Sequence, residues 1–283
     1  MTLPENRILI DGKPYPDAPD AAAGATTDTC LHGNYVYAAV NTVDHHPLYL
    51  GKHLGYAAAS YRKLYGTAPD FDIRTIRNEI EQLLDMNRMP KTGNIVHVYF
   101  LPLQPENPSA SPYSRIVTCE RTTIYRGYDL SSIRPRVILT NYEIPFSGHR
   151  TAVSLTTSKY MQAFAVRSGN HAAIRVNRNE KVISCGEYPI FFVKGGTVYM
   201  PPAPDESPLC TERELMLRLC ELAGVPTAER SISAEEIAGS DEIIIFDSAG
   251  LQSVLCWGSH YFYNMIANRL ATHIPQLNTE GLR

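Results

Sequence analysis

The chain has almost no excess charge and no long apolar run, and both absences narrow what it can be. Its 283 residues carry 26 Lys and Arg against 29 Asp and Glu, a formal net charge of -3. The basic residues are scattered and form no stripe, so nothing in the charge pattern argues for nucleic acid. No apolar stretch reaches the length of a membrane span, and the opening MTLPENRILI lacks a signal peptide's basic and apolar regions. The six cysteines are spread out with no C-x-x-C pair, which argues against a disulfide framework or zinc site and for reduced thiols in a cytoplasmic protein. No Gly-rich phosphate loop, Gly-x-Ser-x-Gly elbow, internal repeat or low-complexity tract is present. His45, His46 and His53 beside Asp44 match no metal-ligand spacing and read as a solvated loop.

What remains is an ordinary globular composition, 44% hydrophobic and 19% charged, long enough for one large or two modest domains. Ile8-Leu9-Ile10 followed by Asp11-Gly12 predicts a strand entering a hairpin turn. Residues 35–43 and 47–50 predict a second hairpin, and 53–65 a helix. Asp72 caps a helix to Met86, with Ile73, Ile76, Ile80, Leu83 and Leu84 on one face. Strands are predicted over 94–101, 116–125 and 136–142. A smaller α+β domain over 1–141, a loop over 142–149 (YEIPFSGH) and a larger domain over 150–283 follow.

In the larger domain a helix is predicted over 156–167 and a strand over 172–176. Val182 to Pro202 (VISCGEYPIFFVKGGTVYMPP) reads as a strand, a Gly195-Gly196 turn and a second strand. Thr211-x-x-Glu214 and Ser233-x-x-Glu236 read as capping boxes, 241–246 as a buried strand, and SHYFYNMIANRLATHI as a closing amphipathic helix.

Six segments in order carry a family resemblance. ILIDGKPYP looks like an opening strand and turn. His32-Gly33 with Val36-Tyr37 resembles "aromatic-or-His, Gly, two residues, Val-Phe", and KHLGYAAAS is similar to "HLxRLxxSA". IFFVKGGTVYMPP resembles "NxFxxKDGxLxTP", TERELMLRLCELAGVPTAERSIS "GITRxxxxxxAxxxGxxVxExxxx", and SDEIIIFDSAG "ADExFxTGTAxE". The sequence thus resembles the fold-type IV (class IV) pyridoxal-phosphate aminotransferases. These include the branched-chain and D-amino-acid aminotransferases and aminodeoxychorismate lyase. The resemblance implies a two-domain, D-amino-acid-aminotransferase-like α+β/α/β architecture, a homodimer and pyridoxal phosphate.

Carried over residue by residue, the family's chemistry is altered. Its Schiff-base lysine, an indispensable primary amine, falls near Arg150 counted from the hairpin or at Thr156 counted from the helix. The nearest lysine is Lys159. The glutamate that holds the pyridine nitrogen protonated aligns with Ser184. Glu187 lies three residues on, with alternation that faces it away unless the strand is bulged. The phosphate-binding arginine becomes Tyr56. The helix start at Thr211 keeps an anion-binding geometry but adds Glu212, and Asp247-Ser248-Ala249 keeps the hydroxyl at Ser248 beside an aspartate. Tyr35, Tyr37, Tyr49 and Tyr56 lie where the family's substrate pocket draws residues, with core and dimer packing as the plainer reading.

Three expectations follow. The first is a degenerate family member, cofactor-free, with an inter-domain cleft for a small anionic or amino-acid-like ligand that Arg150 faces. The second is an active, divergent pyridoxal-phosphate aminotransferase or lyase acting on an amino acid through Lys159, with Glu187 at the pyridine. The third is an inactive subunit that partners an active paralogue.

Overall fold

Asp11 and Gly12 turn β1 (Arg7–Ile10) back into β2 (Lys13–Pro16), with φ of 48° and 78°, the left-handed pair that a tight hairpin requires. A computed structural model describes residues 7–16, 33–103, 113–121 and 126–283. The chain divides into two units, one formed by Met1–Gly127, Arg150–Ala152 and Glu280–Arg283, the other by Tyr128–His149 and Val153–Thr279.

Among the described residues, the first unit is one antiparallel sheet with two helices. Its six strands run in the order β2-β1-β6-β5-β3-β4, with β3 (Val36–Val43), β4 (His46–Pro47), β5 (Asn94–Pro102) and β6 (Tyr113–Arg121). Helices α1 (Leu50–Tyr65) and α2 (Ile73–Met86) bury their apolar stripes against it. Ile76, Ile80, Leu83 and Leu84 pack with Val36, Ala38, Val40, Val96 and Val98 in one core. The alternation of β3 sends Tyr37 to the other side, where it meets the rings of Tyr35, His97 and Tyr99. Asp72 caps α2 as expected, accepting from the backbone N–H groups of Arg74 and Thr75 at 3.3 and 3.0 Å.

His45 is not in a solvated loop. It is buried, with Nδ1 2.8 Å from Asp85 and Nε2 2.9 Å from the Met89 carbonyl, so both ring nitrogens are engaged. His46 pairs with Glu81 at 2.8 Å and His53 is buried. Among the described residues no group of three His, Cys, Asp or Glu is placed to hold a metal.

The second unit contains two sheets. One runs β10-β9-β8-β16-β17, with β8 (Arg136–Thr140), β9 (Ala172–Val176), β10 (Val182–Cys185), β16 (Cys256–Trp257) and β17 (His260–Tyr261). The other runs β13-β12-β11-β14-β15-β7, with β7 (Asp129–Leu130), β11 (Ile190–Lys194), β12 (Thr197–Met200), β13 (Thr227–Glu229), β14 (Glu242–Asp247) and β15 (Gly250–Ser253). Val137, Ile174 and Val182 of the first sheet share a core with Ile190, Phe192, Ile243 and Ile245 of the second, so the sheets pack face to face. The Gly195-Gly196 turn forms as read, with φ of 56° and 77°.

Four local readings differ from the structure. The strands β7 and β8 belong to the second unit, because β7 pairs in parallel with β15 and β8 with β9 and β16; the split falls at Gly127 and not at 141. Thr211 is no cap: Cys210 is the N-cap of α4 (Thr211–Ala223) and Thr211 opens the helix, fully buried. The Ser233–Glu236 capping box is present, but on a short 3-10 turn, Ala234–Gly239. The single closing helix is replaced by β17, α5 (Met265–Ala271) and α6 (Ile274–Gly281). Helix α3 (Ala152–Arg167) precedes β9 in the chain. Among the described residues no helix is long and apolar enough to cross a membrane. His32, which contributed to the resemblance, lies outside the described residues.

Candidate functional site

Two loops of the second unit carry Glu187, Ser248 and Ala249, three of the residues singled out in the sequence. The first follows β10. Its register slips between Val182 and Ser184, Gly186 turns the chain at φ 60°, and Cys185 bridges to Tyr188. The alternation argument therefore fails for Glu187, which leaves the strand and is buried instead of facing away. Glycine suits this left-handed turn, and a Cβ there would stand 2.6 Å from the Ser158 hydroxyl of α3, which would have to move. The second loop joins β14 to β15. Asp247 Oδ1 accepts from the N–H groups of Ala249 and Gly250 at 2.8 and 3.0 Å, and Gln252 donates to Oδ2. Ser248 Oγ lies 3.2 Å from Tyr188 Oη, which ties the loops together.

Three carboxylates converge here. Glu212 is fully buried in the first turn of α4, where the helix N-terminus favours a negative charge. Burial pushes Glu187 up to about 8, and the Glu212 charge adds to the rise. Burial likewise raises Asp247, again with Glu212 contributing, against the pull of its three hydrogen bonds. One Glu187 carboxylate oxygen and the Thr211 hydroxyl are buried with no hydrogen-bond partner. Cys185, also buried and raised to about 12, lines a cavity of about 340 Å³ with Gly186, Tyr188, Asp247 and residues of α3. The site gathers its acids inside the protein, and Asp247 already occupies the N–H groups of Ala249 and Gly250.

Ser184 has a different neighbour. It is fully buried, its hydroxyl donates to the Gly186 carbonyl at 2.8 Å, and it accepts from Arg175 Nε at 3.2 Å. Arg175 sits on β9 at 1% exposure and lines a larger cavity of about 670 Å³ with Tyr142, Ile144, Phe146, Asn177, Glu206 and Leu209. Burial lowers its guanidinium to about 10, with Glu206 partly opposing. Sequence reading passed over Arg175; its one signal was an arginine in the middle of the apolar run AAIRV.

The remaining candidates are not among the residues of these two loops. Lys159 is exposed on α3, and Thr156 is exposed on the same helix. Every other lysine of the chain is exposed too, except the half-buried Lys181 beside the Ser233 bridge. Arg150, in the first unit, is half-buried and accepts from the Tyr37 N–H through its carbonyl at 3.2 Å. Tyr37 is buried with its hydroxyl unpartnered, and Tyr56 is half-buried on α1.

The two sheets, the helix start at Thr211 and the turn at Ser248 define a protein of the fold-type IV aminotransferase architecture. A branched-chain aminotransferase from the archaeon Thermoproteus uzoniensis, crystallised with norvaline, superposes with a TM-score of 0.80 at 18% identity, covering 98% of this chain and 96% of that one. A hypothetical aminotransferase from Mycobacterium tuberculosis in its PLP-bound form gives 0.79 at 14% identity, covering 96% and 98%. A putative 4-amino-4-deoxychorismate lyase from Legionella pneumophila gives 0.74 at 16%, covering 88% and 92%. No curated protein matches by sequence. The model of the amino-transferase class IV family matches residues 36–255, and the chain belongs to that family.

Proposed function

We propose that this chain is a class IV aminotransferase-family protein that has given up the Schiff base. On this reading it retains the scaffold as a binding protein for a small anionic or amino-acid-like ligand. The observation that carries the reading is the pairing of exposed lysines with buried acids. A Schiff-base amine has to be held desolvated against the cofactor carbonyl, and no lysine of the chain is buried. A phosphate needs open N–H donors and positive charge. Here Asp247 takes the N–H groups of Ala249 and Gly250, and Glu212 lies at the α4 N-terminus. Ser184, where the family's carboxylate is expected, receives a guanidinium instead. These residues do not fit pyridoxal phosphate, and we derive no step through it. The homodimer remains part of the proposal, testable by sizing the purified protein.

The second reading, an active enzyme using Lys159, is favoured by one observation: the family match spans the helix that carries it. One measurement separates the two. Purified protein titrated with pyridoxal phosphate is expected to show no visible Schiff-base band and no difference between the native chain and Lys159→Ala. A band that appears in the native chain and disappears in Lys159→Ala overturns the proposal in favour of the enzyme.

A further inference from the structure

Arg175 is a buried cation with no ion-pair partner among the described residues. Its Nε is bonded to Ser184, whose own hydrogen is committed to the Gly186 carbonyl. That pair fixes the guanidinium from the strand side. Its two terminal nitrogens make no hydrogen bond or ion pair with any described residue. A guanidinium at 1% exposure with one hydrogen bond is an expensive arrangement, because its desolvation is not repaid by a charge partner. The free end is the planar NH1/NH2 fork, and Arg175 lines the cavity of about 670 Å³. Such a fork matches the two oxygens of a carboxylate in one plane.

The rest of the cavity limits what that oxyanion can be attached to. Ile144, Pro145, Phe146 and Leu209 form an apolar wall. Glu206 also lines it, held by its own hydrogen bond from Ser147 at 3.1 Å, and is not within ion-pair distance of Arg175. Its charge still reaches the guanidinium and would repel a second negative charge on a ligand. Arg178, the other arginine of the wall, is already taken by Glu143 in an exposed ion pair. One unpaired positive charge, one nearby negative charge and an apolar wall suit a monoanion with an apolar body better than a phosphate dianion.

The geometry points to Arg175 as the anchor for the carboxylate of a small monoanionic ligand, whose apolar body lies along Ile144, Phe146 and Leu209. This rests on the reading of the chain as a small-anion binder, and not on the fate of the cofactor. The test is calorimetric titration of the full chain with benzoate, with its neutral isostere benzamide, and with inorganic phosphate. Benzoate is expected to bind once per chain and benzamide about tenfold or more weaker, the loss expected when a charge-assisted hydrogen-bonded contact is removed. Arg175→Met is expected to lose the preference for benzoate, and Leu209→Trp to weaken benzoate by filling the cavity. Benzoate binding no tighter than benzamide, or unchanged in both variants, overturns the assignment. Phosphate binding more tightly than benzoate overturns the carboxylate. Should Arg175→Met not fold, the benzoate-to-benzamide ratio and Leu209→Trp decide alone. The cofactor spectrum is read separately: a failed titration with no Schiff-base band removes the Arg175 site and leaves the cofactor-free reading in place.

Discussion

Arg175 and Ser184 stand opposite each other on β9 and β10, bonded Nε to Oγ at 3.2 Å, and neither exceeds 1% exposure. The hydroxyl is the single hydrogen-bond acceptor the described chain offers this guanidinium. Ser184→Ala is therefore expected to cost about 1–3 kcal/mol, the price of stranding a buried donor. Arg175→Met removes the buried charge and is expected to be neutral or stabilising in ligand-free protein. The cost of Ser184→Ala should shrink in the Arg175→Met background. Urea denaturation of the four proteins in the cycle measures this, and an equal cost in both backgrounds would show that the two side chains are not coupled.

Glu187 makes stability depend on pH. Its folded value is raised to about 8, chiefly by burial and then by Glu212, well above the ordinary carboxyl range. The folded protein thus holds a proton that the unfolded chain releases near the ordinary glutamate value of about 4.3. Its contribution is complete below that ordinary value and is lost as pH rises through about 8. Glu187→Gln keeps the neutral shape. It is expected to flatten the decline in melting temperature across that window and to leave the variant more stable than the native chain above it. Thermal melts in steps from acid to mildly alkaline pH check this, and parallel curves would contradict it.

Gly250 lies where β15 meets β7. Its φ is 136°, and a Cβ would fall 2.0 Å from the Asp129 carbonyl oxygen. Gly250→Ala must push β7 out of the sheet or break the Asp247 loop. A loss of about 3 kcal/mol or more is expected by chemical denaturation. Gly195→Ala is the comparison: its φ is also positive, at 56°, but nothing lies within 4 Å of the added carbon. It should cost visibly less, and equal costs would mean that the close approach at Asp129 is not what Gly250 serves.

Much of the scaffold was legible in the chain because local rules govern those parts. Asp11-Gly12 and Gly195-Gly196 can hardly be anything but tight turns, since only such residues take a left-handed pair without strain. Asp72 and the stripe from Ile76 to Leu84 announce α2 by capping and periodicity alone. The order of six short matches carried the family, although each was weak by itself.

What the residues did to one another was decided by tertiary structure. Alternation placed Glu187 outside, but a register slip and the Gly186 turn buried it beside Glu212, a neighbour from a distant helix. His45 looked solvated until Asp85 of α2 and the Met89 carbonyl, just past the helix end, closed on its ring. Strand β8 looked like the end of the first domain until parallel pairing with β9 and β16 drew it into the second. Arg175 was one polar residue in an apolar strand, and only the packing of β10 and the loop at 142–149 left its fork facing a cavity. Composition, periodicity and turn chemistry are short-range and can be read along the chain. Burial, charge pairing and strand register depend on segments far apart in sequence, and they exist only once the chain has folded.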